Sequence, residues 1–279
     1  MMMLGLALLS TRLPSARAHG DERGELDGHE SKALMSQVGI DQKMNSQVPL
    51  TAPFTDQDGK PVTLTRYLGE KPVMLSLISY TCTQVCTAEA QVLQSTLHDL
   101  PFTVGKDFDI VVVSIDPRET SAMAMAHKEE NVKNYGRKGS ESGWHFLTGS
   151  ESSIKALAGS IGYRYALDPA TKEYVHPDGL TLLTPQGHVS RYFYNLNYPV
   201  RDVKFGLMEA SQRKIGSPLD YLAMTCFHYN PTTGKYDAKI SAILQIAGIS
   251  TVLGMALGIG LMLRSEKKRN VQLLKPQGV

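Results

Sequence analysis

Three cysteines occur in 279 residues, and two of them, Cys82 and Cys86, stand four apart in the run YTCTQVCT (80–87). Before them lies 73–80 (VMLSLISY), a compact apolar stretch that reads as a buried strand. After them, 87–100 carries Ala88, Val92 and Leu93 at helical spacing until Pro101 stops the pattern. Two side chains four apart share one face of a helix, close enough to hold one ligand or close a disulfide. The unpaired N–H groups of a helix N-terminus favour thiolate, the form that binds soft metals and attacks disulfides. Two thiolates suit thiol–disulfide exchange or a soft metal. One added imidazole makes a three-coordinate set of two sulfurs and a nitrogen, which fits Cu(I) and also holds Cu(II). Eight histidines are present. His98 and His127 read as surface positions on helices, His145 lies in a short strand, and His188 sits at a hairpin. His176 stands on a loop just before the last strands, and spacing alone does not single it out.

The elements that must position these groups follow from periodicity. A turn at Asp58-Gly59 precedes a short strand at 62–64, and 109–115 (DIVVVSI) is a second buried strand. In Asp116-Pro117-Arg118-Glu119, Asp116 is expected to cap a helix, with Pro117 at its first position and Glu119 completing a capping box. Thr148 and Glu151 repeat that logic before a helix over 154–161, and 144–147 is a short strand between the two. Strands at 180–184 and 189–194 meet at the turn Pro185-Gln186-Gly187, and 199–212 forms a last helix. Strands alternating with helices imply an α/β sheet covered on both faces.

The two ends carry address information. An apolar run over 1–9 followed by Ala16-Arg17-Ala18 resembles a signal peptide over 1–18, although no positive charge precedes the run. Residues 19–46 read as a flexible approach, and 47–216 as the folded domain. Residues 217–239 form a juxtamembrane segment of Pro, Tyr, Asn and Gly. The run 240–263 holds no charged residue and is long enough to cross a bilayer core of ~30 Å. Arg264, Lys267, Lys268 and Arg269 follow it, so the tail 264–279 is expected in the cytoplasm and the domain in the periplasm or an equivalent space. A net charge of +2 without a dense basic stripe argues against a nucleic-acid partner.

The stretches SLISYTCTQVCTAEAQVL, VVVSIDPRET, WHFLTGSESSIKALAGSIGYRY and HPDGLTLLTPQGHVSRYF together resemble the Sco/SenC family of copper proteins over about residues 47–213. The resemblance implies a thioredoxin-like central sheet flanked by helices. It also implies copper held by Cys82 and Cys86 of the CxxxC motif and by His176, the histidine ahead of Pro185-x-Gly187. By the same resemblance the protein is a metallochaperone delivering copper to the CuA site of cytochrome c oxidase. Its partners are then the oxidase's copper-containing subunit and other copper carriers. The alternative is a membrane-tethered thiol–disulfide oxidoreductase, in which Cys82 and Cys86 are a redox pair that reduces the cysteines of that site.

Two departures from the family pattern stand out. Proline usually follows each cysteine, where this chain has Thr83 and Thr87, and Asp commonly precedes the histidine, where it has Val175. The first loosens the loop. The second removes a partner that would orient the imidazole. A peroxidase of the same fold would need an arginine beside the cysteine, and none is near in sequence. Structural zinc would usually need a fourth ligand. Cys226 and His228, in a Cys-x-His pair close to the apolar run, read as a partly buried free thiol and its neighbour rather than as a second metal site.

Overall fold

The computed structural model describes residues 33–82, 85–194, 196–212, 216 and 218–273. The expected signal peptide over 1–18 lies outside the described residues, as do the first half of the flexible segment (19–32) and the Thr83, Cys86 and Thr87 side chains. The chain runs through β1 (Gly39–Ile40), β2 (Pro53–Asp56), β3 (Pro61–Thr63), β4 (Val73–Ile78), α1 (Val85–Asp99), β5 (Asp109–Ser114) and α2 (Ser121–Tyr135). It continues through β6 (Trp144–Gly149), α3 (Glu151–Ser160), β7 (Tyr163–Arg164), β8 (Ala166–Leu167), β9 (Tyr174–Val175), β10 (Gly179–Leu183), β11 (Val189–Tyr194) and α4 (Val200–Ala210). After α5 (Pro218–Met224), β12 (Phe227–Asn230) and β13 (Lys235–Ala238), it ends in the long helix α6 (Ile240–Leu273).

Seven strands form one mixed sheet in the order β11-β10-β4-β5-β6-β2-β3. The central β4, β5 and β6 are parallel, and β10 and β2 join them antiparallel on either side. Strands β4, β5 and β10 read as unbroken apolar runs because helices cover both of their faces. Alternation divides them: Ile110 and Val112 face one core with Met74, Trp144 and Leu182, under α1, α2 and α4. Val111 and Val113 face a second core with Leu75, Leu77 and Leu183, under α3. The sheet and its flanking helices are thioredoxin-like, as expected.

Two helix starts differ from the sequence reading. The box expected from Asp116 to Glu119 does not form: α2 begins at Ser121, capped by Thr120, whose side chain accepts from Met123 N. Glu119 is drawn away by a stronger set of donors described below. Likewise α3 is capped by Ser150, which accepts from Ser153 N at 3.3 Å, and Thr148 stays in β6. At the far end of α3, Gly162 adopts φ +67°, and a Cβ there would lie 1.8 Å from the Asp41 carbonyl oxygen. Only glycine fits, and it sets the direction of Tyr163 in β7.

The segment 218–239 folds against the domain. Strand β11 is an edge, and the Tyr229 hydroxyl of β12 serves both of its Tyr192 backbone groups, donating to the carbonyl at 2.8 Å and accepting from the N–H at 3.1 Å. Arg191 pairs with Glu209, which also accepts from the Tyr236 hydroxyl, and the guanidinium lies 4.8 Å over the Tyr229 ring. Asp202, fully buried, accepts from Tyr236 N at 3.1 Å, and Arg201 donates to Tyr236 O at 2.9 Å. One residue after this hairpin α6 begins. Its stretch Leu244–Arg264 is long and apolar enough to cross a membrane, and none of it is buried against the rest of the chain.

Trp144, the one tryptophan, is buried in the first core and reports on folding. Gly162→Ala, which forces both a backbone clash and an unfavourable φ, is expected to lower unfolding stability by about 2 kcal/mol or more in urea titrations followed by Trp144 fluorescence. Tyr229→Phe leaves both Tyr192 backbone groups without their partner. It is expected to weaken hairpin docking by about 1–2 kcal/mol and to speed proteolysis within 227–238 while the Trp144 signal stays unchanged.

Candidate metal and thiol site

Strand β4 delivers the chain to Ser79, Tyr80, Thr81 and Cys82, and α1 opens three residues later. This loop is held from beneath by one carboxylate. Glu119, only 7% exposed, accepts from Ser79 Oγ (2.8 Å), Tyr80 N (2.9 Å), Thr81 N (2.9 Å), Thr81 Oγ1 (3.0 Å) and Ser114 Oγ. Two of these donors are backbone groups of the cysteine loop, so the carboxylate specifies the loop's path and not merely its neighbourhood. Tyr80 is pinned as well. Its hydroxyl donates to Leu147 O at 2.8 Å, and its ring stacks on His127 with centroids 4.9 Å apart. His127 Nε2 lies 2.9 Å from Tyr80 O, so this histidine supports the loop from α2 and is not the surface residue expected.

His176 sits between β9 and β10, half-buried. Because β10 runs antiparallel beside β4, with Leu180 opposite Ser76, its incoming end lies beside the outgoing end of β4. Cys82 and His176 therefore belong to the same end of the sheet. The imidazole Nδ1 lies 3.0 Å from the Tyr163 hydroxyl and 3.2 Å from Pro177 O. Burial pushes the His176 pKa below its ordinary value, while the Pro177 carbonyl and the charges of Asp178 and Glu119 pull the other way without overcoming it. The shift favours the neutral ring, the form that ligates metal. Val175 offers no carboxylate, and the orienting contact comes from Tyr163 and Pro177 instead. Asp178, whose own pKa burial raises, supplies the nearby negative charge.

The run 116–119 joins the two halves. Asp116 holds Arg118 through three side-chain contacts of 2.6–3.0 Å. Arg118 in turn donates to Lys172 O at 2.8 Å and lies 5.7 Å over the Tyr174 ring, bracing the short β8–β9 hairpin ahead of His176. Burial alone would raise the Asp116 pKa, but the Arg118 hydrogen bonds and charge bring it below the usual carboxylate range.

The other histidines lie elsewhere. His98 is exposed, and His188 Nδ1 lies 3.1 Å from Asn45 O. His145 packs 4.4 Å from the Tyr67 ring, where burial first and then nearby cations lower its pKa to about 4. Cys226 is a half-buried free thiol. A cavity of about 370 Å³ opens beside Cys82 between α1, α2 and the sheet, its wall including Ser79, Gln94, His127, Asn131 and Trp144. Among the described residues, which exclude the Cys86 side chain, no three His, Cys, Asp or Glu groups gather as a metal site.

Sequence reasoning did not find Glu119, Tyr163 or Asp178 as parts of the site. Glu119 was visible only as an apparent helix cap, and Tyr163 as one of several tyrosines in GYRY. Their partners are far along the chain, 38–40 residues from Glu119 and 86 from Tyr163 to Leu77 O.

No curated protein matches this chain. Among solved structures, two from Aquifex aeolicus VF5, described as candidate electron transfer and electron transport proteins, are each 24% identical to it. They superpose with TM-scores of 0.54 and 0.51, covering 62% and 61% of this chain and 96% and 99% of theirs. ScoI of Arabidopsis thaliana, solved with copper bound, is 22% identical with a TM-score of 0.47, covering 61% of this chain and 99% of that one. The SCO1/SenC family model matches residues 42–203, more than half of the sequence and the whole stretch from β2 through the cysteine loop and His176 to β11. The chain belongs to the SCO1/SenC family.

Proposed function

We propose that Cys82, Cys86 and His176 bind copper and that the protein is a metallochaperone delivering it to the CuA site of cytochrome c oxidase during assembly. The observation that carries this reading is the placement of the half-buried His176 imidazole at the same end of the sheet as a cysteine loop that Glu119 holds in one path. Membership in a family that handles copper for oxidase assembly supports it. Thiolate and imidazole are the donors that copper prefers over hard oxygen ligands. As cargo, copper would pass by ligand exchange: an incoming thiolate or imidazole of the oxidase's copper subunit, or of another copper carrier, adds to a three-coordinate centre before one of this chain's ligands leaves.

A second reading is favoured by a specific observation. Cys82 is disulfide-bonded here, which supports an oxidisable pair and hence a thiol–disulfide reductase acting on the cysteines of the oxidase copper site. In that role a Cys82 or Cys86 thiolate attacks the partner disulfide and the other resolves the mixed disulfide, so two electrons leave the pair. In either role α6 anchors the domain beside a membrane-embedded partner and raises its effective concentration there. By this reading the domain faces the periplasm or an equivalent space and the tail 264–279 the cytoplasm.

The full chain, reduced in mild detergent, is expected to bind about one copper per chain, and His176→Ala to lose it. A wild type that binds no copper yet exchanges with a disulfide substrate transfers the assignment to the reductase. Glu119→Gln places an NH2 group against at least one of the loop's donors. It is expected to weaken copper retention about 10–100-fold in competition with a chromogenic chelator.

A further inference from the structure

We propose that Tyr163 is a positioning residue: it holds His176 in the tautomer that carries its hydrogen on Nδ1 and so presents Nε2 as the acceptor nitrogen. Tyr163 is 4% exposed. Its hydroxyl lies 2.6 Å from Leu77 O, 3.0 Å from Pro177 O and 3.0 Å from His176 Nδ1. The hydroxyl has one hydrogen to give, and the two carbonyls can only accept. When that hydrogen goes to a carbonyl, the contact with Nδ1 is a hydrogen bond only if Nδ1 carries the hydrogen. Pro177 O, 3.2 Å from Nδ1, makes the same demand because it too only accepts. The opposite tautomer would need the hydroxyl hydrogen for Nδ1. Leu77 O would then sit 2.6 Å from an oxygen with nothing between them, and Pro177 O would face a nitrogen lone pair.

The same hydroxyl ties the two halves of the site together. Leu77 lies in β4, five residues before Cys82, and Pro177 follows His176 directly. Gly162, at its positive φ, sets the direction from which the ring enters. Tyr163 thereby takes over the orienting task that Val175 cannot perform. The consequence for copper rests on the proposed function, whereas the tautomer does not.

The test uses the full metal-free chain in detergent, labelled with 15N-histidine, with His176 assigned by comparison with His176→Ala. Two-bond 1H–15N spectra near pH 7 are expected to show His176 with a protonated Nδ1 and an unprotonated Nε2. Tyr163→Phe, which keeps the ring, is expected to shift the population toward the Nε2–H form. It should also lower Cu(I) affinity about 10–100-fold in chelator competition, with copper per chain at saturation and Trp144 fluorescence unchanged. A wild-type His176 protonated on Nε2, or a tautomer population that Tyr163→Phe does not move, overturns the proposal. Should the wild type bind no copper, the copper reading falls while the tautomer result still decides the role of Tyr163.

Discussion

A carboxylate buried beneath a loop is costly unless hydrogen bonds replace its water, and Glu119 meets that condition five times over. Its partners span β4's outgoing loop and the end of β5, so the charge is stable only when those segments take this one arrangement. That makes the interaction specific as well as strong. Cys82 follows directly from the loop it orders, and the carboxylate's field reaches His176 on the neighbouring strand's approach. The neighbouring Arg118 braces the hairpin ahead of the histidine. Residues 116–119 thus connect both sides of the site to the ends of the central strands.

The sheet explains why such precision is affordable to so short a loop. Its three parallel central strands are apolar on both faces and packed between two cores, so the ends of β4 and β5 have little freedom to move. Side chains at those ends inherit that rigidity. The imidazole gains its own through Tyr163, a residue fixed by the turn at Gly162 and by a hydrogen bond to β4 itself.

At the β11 edge of the sheet, the β12–β13 hairpin closes what would otherwise be an open row of backbone groups. It does so mainly with side chains: the Tyr229 hydroxyl stands in for a strand, and Arg191, Glu209 and Tyr236 form a polar lock above it. Since α6 starts one residue after the hairpin, the apolar helix is joined to a docked element and not to a loose linker.

Much of this fold was legible locally. Strands buried on both faces announce themselves as apolar runs, the 180–194 hairpin by its Pro-Gln-Gly turn, and α6 by a charge-free run longer than a bilayer core requires. The CxxxC spacing after a buried strand marked a candidate thiol site by the same local logic. What the sequence could not decide were interactions whose partners lie far apart along the chain. Glu119 has the right type and spacing for a helix cap, and local rules put it there. Donors 38–40 residues upstream compete for it and prevail, because a buried carboxylate gains more from five hydrogen bonds than from one cap. Tyr163 and the hairpin of 227–238 follow the same rule. Residue type and spacing specify which elements form, whereas the polar contacts that aim the site's side chains exist only once the sheet has brought distant segments together.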